Sequence, residues 1–172
     1  QAQARLGLEE LRQLTQGVLA EMRTLLLELR PSALTEQELD VLVPQLTEAM
    51  TGRTRMPITT RVTGDCNLPA EARIALYRIA QEALHNVAKH AEASQVDVHF
   101  QCEAGRATLS IRDDGRGFDV GNIPPGHLGL DIMEERASAI GADLEIESEL
   151  AQGTQVTVAW AIDDGQRTTD DH

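Results

Sequence analysis

EARIALYRIAQEALHNVAKHAEA, residues 71–93, decides how the rest of the chain is read. At 100° per residue Leu76, Ile79, Ala80, Ala83 and Val87 fall on one apolar face, the pattern of a helix packed on a core. Glu82, Asn86 and Lys89 follow at i, i+4 and i+7 along the edge of that face. Such an edge suits a solvated surface or the wall of a pocket, and the choice depends on what lies further along.

Two glycine-rich stretches lie downstream. Asp113-Asp114-Gly115-Arg116-Gly117-Phe118 follows an alternating strand pattern at residues 107–111. Two glycines around one residue let the backbone turn tightly and let a flat ligand approach without a Cβ clash. Asp113, at the strand end, is placed to accept a hydrogen bond from an exocyclic amine such as that of adenine; read alone, the same residues also make a simple acidic turn. Residues 119–126, DVGNIPPG, have no periodicity and form a loop suited to act as a lid. Gly126-His127-Leu128-Gly129-Leu130 then opens a helix carrying Leu130, Met133, Ala137 and Ile140 and stopped at Gly141. A glycine-rich loop feeding a helix N-terminus offers free N–H groups and a positive dipole end to a phosphate.

Upstream, residues 8–29 follow a heptad, with Leu8, Thr15, Met22 and Leu29 at one position and Leu11, Val18 and Leu25 at the other. Leu14, Leu19 and Leu26 widen that seam, as in a bundle helix, and Pro31 ends it. Residues 32–50 predict a second helix, which Pro44 should break or kink. Strands are expected at 58–62, 96–102, 107–111, 144–146 and 155–162. The second and third join as a hairpin across Glu103-Ala104-Gly105, and Gly153-Thr154 turns between the last two. Residues 163–172 lack apolar content and are expected to be disordered.

The 172 residues suffice for one main domain. With 28 acidic against 15 basic residues, the formal charge of −13 would repel a phosphate backbone, so nucleic acid is not an expected partner. Cys66 and Cys102 lie far apart without CxxC spacing, which predicts reduced thiols and a cytoplasmic setting. His85 and His90, five residues apart, miss the spacing of a helical zinc pair. No apolar run is long enough to span a bilayer, and the start at Gln1 predicts a piece of a longer protein whose membrane anchor lies outside this chain.

Taken in order, the motifs resemble the ATP-binding module of sensor histidine kinases, the Bergerat-fold ATPases that also include gyrase and MutL. QEALHNVAKHA (residues 81–91) is similar to the N box, DDGRGF to the first glycine box and GHLGL to the second. ELRPSAL (residues 28–34) and IMEERASAIGADLEIES (residues 132–148) resemble the nitrate-sensor-like subclass that pairs with LuxR-type response regulators. The resemblance implies a two-layer α/β sandwich with a mixed, mostly antiparallel sheet and a long N-terminal helix. Residues 1–33 would be the second helix of the dimerisation and histidine-phosphotransfer domain, 34–163 the catalytic ATP-binding domain and 164–172 a tail. The parent would be a homodimer.

Carried over by position, the resemblance implies that Asn86 holds Mg²⁺ and that Glu82 polarises a water or the incoming nucleophile. Lys89 and His90 would face the phosphates of ATP, and Gly126, His127, Leu128 and Gly129 would wrap them. Asp113 would read the adenine amine, with Gly115 and Gly117 giving it room and Thr154 backing the base through a water. The family's phosphoacceptor histidine precedes the helix at 8–29, and this chain has no histidine before His85. Autophosphorylation is therefore not expected. An anti-sigma-factor-type serine kinase and a degenerate nucleotide-binding module remain as alternatives on the same fold.

Overall fold

Parallel pairing of Ile58–Thr63 (β1) with Val96–Glu103 (β2) sets one end of the sheet, and the other pairs are antiparallel. The computed structural model describes residues 36–122 and 128–162, together with Gly7, Leu11, Arg12, Thr15, Val18, Met22 and Leu34. Among them, Arg106–Asp113 (β3), Asp143–Glu149 (β4) and Gly153–Ala161 (β5) complete a five-stranded sheet of order β1-β2-β3-β5-β4. The helices are Leu39–Thr54 (α1), Ala70–Asn86 (α2) and Leu128–Ala139 (α3). α2 packs against α1, α3 and β3. This is the expected mixed, mostly antiparallel two-layer sandwich.

Alternation decides which sheet face the helices cover. Val98 and Phe100 of β2, Leu109 and Ile111 of β3, and Val156 and Val158 of β5 point into the core, while Asp97, Glu103, Arg106 and Arg112 face solvent. From the helices come Leu42, Val43, Leu46, Leu76, Ile79, Leu84 and Met133. The five residues placed on the apolar face of α2, Leu76, Ile79, Ala80, Ala83 and Val87, are all buried. On β4, an edge strand, Asp143, Glu145, Glu147 and Glu149 are exposed and Leu144, Ile146 and Ser148 turn inward.

Helix boundaries depart from the sequence reading near the N-terminus. Leu34 and Glu36 are helical, Gln37 and Glu38 are not, and α1 then runs unbroken through Pro44. Pro44 removes one backbone donor near the start of the helix, and burial of Leu42, Val43, Leu46 and Met50 outweighs that loss. Glu38 carries an ion pair with the buried Arg73, tying the start of α1 to α2. Thr60 of β1 donates its hydroxyl to that of Thr47 on α1 at 2.8 Å. Gly7, Leu11, Thr15, Val18 and Met22 are helical and exposed; the remaining seam residues, from Leu8 to Leu29, and the tail at 163–172 lie outside the described residues.

Cys66 and Cys102 form a disulfide with Cα atoms 5.8 Å apart, contrary to the expectation of reduced thiols. The cause is register. β1 and β2 run parallel with Thr63 opposite Gln101, so the chain leaving β1 passes beside Cys102. Gly64 permits the approach: a Cβ there would sit 1.9 Å from the Cys102 carbonyl oxygen. Sequence separation carried no information about a contact made by strand pairing. Among the described residues no helix is long and apolar enough to cross a membrane.

Candidate functional site

α2 does not end as an ordinary helix. After Asn86 the backbone widens into a π-turn over Val87–Ala91, closed by Glu92 in the left-handed conformation at φ 52°. A widened turn redirects side chains and leaves carbonyls for other partners. The Ala91 carbonyl accepts the Arg116 N–H at 2.7 Å, which fastens the glycine-rich loop after β3 to the end of α2.

Between them, α3 and β5 lies a cleft of about 210 Å³. Its walls are mostly apolar: Ala83, Val87, Ile111, Leu130, Met133 and Val156. The polar groups reaching it are Asn86, His90, Asp113, Arg116, Asp119 and Thr154. A slot of this make-up suits a flat, weakly polar group held by a few oriented hydrogen bonds.

Asp113 is 3% exposed, at the end of β3. Its carboxylate accepts the Gly115 N–H at 2.8 Å and a further bond from the Thr154 N–H. Burial raises its pKa above the ordinary carboxylate value; the two N–H donors pull it down and the neighbouring Asp114 charge pushes it up again. Asp114 has another task. It accepts the N–H groups of Ser94 and Gln95 at 2.8 and 2.9 Å as well as the Ser94 hydroxyl, bonds that hold its own pKa below the ordinary value. One aspartate faces the cleft while its neighbour pins the turn before β2.

The glycines give room to protein backbone. A Cβ on Gly115 would lie 2.3 Å from the Ala91 carbonyl oxygen, and one on Gly117, at φ +56°, would lie 1.9 Å from that of Glu149. Gly129, in the first turn of α3, lies against the functional edge of α2: its Cβ would sit 2.4 Å from Glu82 Oε1 and 3.2 Å from Asn86 Nδ2. Glu82, Asn86 and the start of α3 therefore meet, and Asn86 and Gly129 line the cleft together with Asp113 and Thr154.

Of the residues singled out from sequence, Asn86, His90, Asp113, Gly117, Gly129 and Thr154 line the cleft. Glu82 and Gly115 support it from behind. Lys89 and Leu128 are exposed and are not among the lining residues. Gly126 and His127 lie outside the described residues. Arg116, Phe118 and the apolar walls were not assigned. Phe118 and Arg116 stood inside the quoted DDGRGF motif, whereas Ala83 and Val87 have the periodicity of core residues and gave no separate signal.

The model of the histidine kinase-, DNA gyrase B-, and HSP90-like ATPase family matches residues 71–164, more than half of the chain. The sensor histidine kinase LiaS of Bacillus subtilis is 35% identical over 142 residues, covering 83% of this chain and 39% of LiaS. The nitrate/nitrite sensor protein NarQ of Escherichia coli is 32% identical over 154 residues, covering 86% of this chain and 26% of NarQ. The chain thus spans well under half the length of these relatives. Among solved structures, the blue-light activated histidine kinase EL346 of Erythrobacter litoralis superposes with a TM-score of 0.62 at 22% identity, covering 74% of this chain and 46% of that one. That likeness concerns the fold. A family match running from the start of α2 through β5, over the elements that build the cleft, places the chain among the histidine kinase-, gyrase B- and HSP90-like ATPases.

Proposed function

We propose that this chain is the catalytic, ATP-binding portion of a sensor histidine kinase, transferring the γ-phosphoryl of ATP to a histidine N-terminal to it and thence to a response regulator. The observation that carries the reading is the buried Asp113 carboxylate set in a mostly apolar slot that Asn86 and Gly129 of the α2–α3 edge also line. Beyond the Gly115 and Thr154 N–H groups, this carboxylate has acceptor capacity left, which the exocyclic amine of adenine would use while the apolar walls take the ring faces.

Mg²⁺ fits the donor set. Asn86 offers one amide oxygen, the kind of single protein ligand expected when phosphate and water complete the shell. Bound there, the cation would neutralise charge on the phosphates during transfer. Glu82, beside Asn86, orients the incoming imidazole; Lys89, His90, Gly126, His127, Leu128 and Gly129 take the phosphates; Thr154 backs the base. The work is positioning and electrostatic stabilisation of an in-line displacement.

The finer assignments belong to the same proposal. Residues 1–33 are the second helix of the phosphotransfer domain, supported by the exposed helical positions Leu11, Val18 and Met22; 34–163 is the catalytic domain and 164–172 a tail. The parent is a homodimer of the nitrate-sensor-like subclass signalling to a LuxR-type regulator, supported by the ELRPSAL motif and the likeness to NarQ. Calorimetric titration with ATP, with and without Mg²⁺, tests the core reading. Binding in the parent chain and its loss in Asp113→Asn is the expected result, because the amide can present the wrong end to the amine. Unchanged affinity in that variant would sink the adenine assignment.

A further inference from the structure

Arg73 occupies an apolar position. On α2 it stands three residues before Leu76 and four before Tyr77, on the buried stripe, and its side chain is 8% exposed. Its Nη1 donates to Oε1 of Glu38, whose side chain is half exposed. A guanidinium taken out of water needs a partner, and an apolar side chain of similar length would fill the site at less cost. What the pair contributes beyond stability is therefore direction.

Glu38 stands at a joint. Leu34 and Glu36 are helical, Gln37 bends, Glu38 is extended at φ −78° and ψ 159°, and α1 starts at Leu39. Glu38 holds the N-cap position of α1, where a side chain commonly accepts N–H groups of the first turn; it makes no such bond and reaches across to α2 instead. Leu34, buried in the core, also anchors the joint. Apolar burial is non-directional, however, whereas a planar guanidinium fixes the angle of its acceptor.

We infer that Arg73 is a positioning residue: its pair with Glu38 sets the angle at which the helical residues N-terminal to the joint leave the sandwich. The consequence for phosphoryl transfer rests on the nucleotide reading above. Along the axis of α2, Glu82 and Asn86 lie about 14 and 20 Å beyond Arg73, so one rigid helix holds the N-terminal segment near its start and the phosphate end of the cleft near its finish. A histidine on a helix packed against that segment then meets the γ-phosphate in one orientation, and in-line transfer tolerates little misplacement.

Energy transfer within the full chain tests this. Trp160, the one tryptophan, is fixed in β5 by its indole N–H bond to the Ile140 carbonyl at 2.9 Å, and Met22 is helical and exposed. With a dansyl acceptor on Met22→Cys, and labelled chain diluted into unlabelled chain, the time-resolved decay of Trp160 gives the distribution of distances between the sheet and the N-terminal helical residues. No reductant is used, so Cys66 and Cys102 stay joined and take no label. An intact pair is expected to give a narrow distribution; Arg73→Met and Glu38→Gln should broaden it, while Mg·ATP affinity by calorimetry stays that of the parent. Arg73→Met removes the buried charge and keeps an apolar filling, so its melting temperature should not fall. A lower melting temperature with an unchanged distribution would mark a pair that only stabilises, and overturns the inference. So does a narrow distribution in Arg73→Met, or a broad one with the pair intact, and in each case the nucleotide reading stands. Should one variant fail to fold, as judged by circular dichroism, the other decides by the same criterion. Absence of Mg·ATP binding by the unaltered chain overturns the nucleotide reading and the consequence for transfer, and leaves the joint to be judged by the distances alone.

Discussion

The Ala91 carbonyl and the Arg116 N–H, 2.7 Å apart, join the π-turn that ends α2 to the glycine loop that follows β3. That bond exists because the π-turn turns Ala91 toward the loop and because Gly115 has no Cβ to keep the two backbones apart. The segment carrying Glu82 and Asn86 and the loop carrying Asp113 are thus held in one frame.

Gly115→Ala and Gly129→Ala should therefore fail differently. The first drives a methyl into the Ala91 backbone at 2.3 Å, and the cost is overpacking with nothing flexible to give way, about 1–3 kcal/mol or more. The second meets the far end of the Glu82 side chain at 2.4 Å, which can swing aside. Thermal melts should show a large loss for Gly115→Ala and a small one for Gly129→Ala, while phosphoryl transfer falls in both. Equal melting temperatures would contradict the contact geometry.

Asp113 makes a prediction about stability and pH. Burial raises its folded pKa above the unfolded value, so the folded state binds the proton more tightly than the unfolded one. Its contribution to stability is present below the unfolded pKa and is lost as pH rises through the folded pKa. At neutral pH the ionised group is a standing cost. Asp113→Asn should raise the melting temperature of the nucleotide-free chain at pH 7, and the gain should shrink toward pH 4. A variant less stable than its parent at pH 7 would show that the Gly115 and Thr154 bonds outweigh burial.

Phosphoryl transfer should occur in trans. With no histidine before His85, the chain incubated with radiolabelled ATP is expected to remain unlabelled, whereas a separate protein carrying a helix with a phosphoacceptor histidine should take up acid-labile label weakly, since no tether raises the effective concentration of the two molecules. Val18, helical and 55% exposed, lies in the seam that would receive that helix. Val18→Asp should reduce transfer and leave ATP affinity intact. Strong label on the chain alone would relocate the nucleophile.

The Cys66–Cys102 bond closes a loop over a separation of 36 residues. Loops of this size stabilise by about 2–4 kcal/mol, through restriction of the unfolded chain. Reduction should lower the melting temperature by several degrees, and alkylation before reduction should modify neither cysteine. Ready alkylation of both in the untreated protein would show that the pair is not joined in solution.

Much of this was legible in the sequence because it depends on local periodicity. The α2 face, the alternation of β2 and β3 and the stop at Gly141 follow from side-chain period alone. The disulfide was not legible, since parallel register between strands separated by a whole helix creates it. The uninterrupted α1 was missed because propensity at Pro44 competes with burial of a face that only tertiary packing supplies. Gly115 and Gly117, read from the sequence as room for a flat ligand, accommodate backbone from Ala91 and Glu149, a contact that only the folded chain creates. The division of labour between Asp113 and Asp114 needed the position of Ser94, nineteen or more residues away in sequence and adjacent in space.

Among the described residues β1 and β4 are each paired on one side only, and such a strand is a template on which a second molecule can continue the ladder. On β4 every second residue, Asp143, Glu145, Glu147 and Glu149, sends a carboxylate outward. Two such borders brought together would align rows of like charge a few ångströms apart, so this edge of the sheet resists pairing with a second copy of itself.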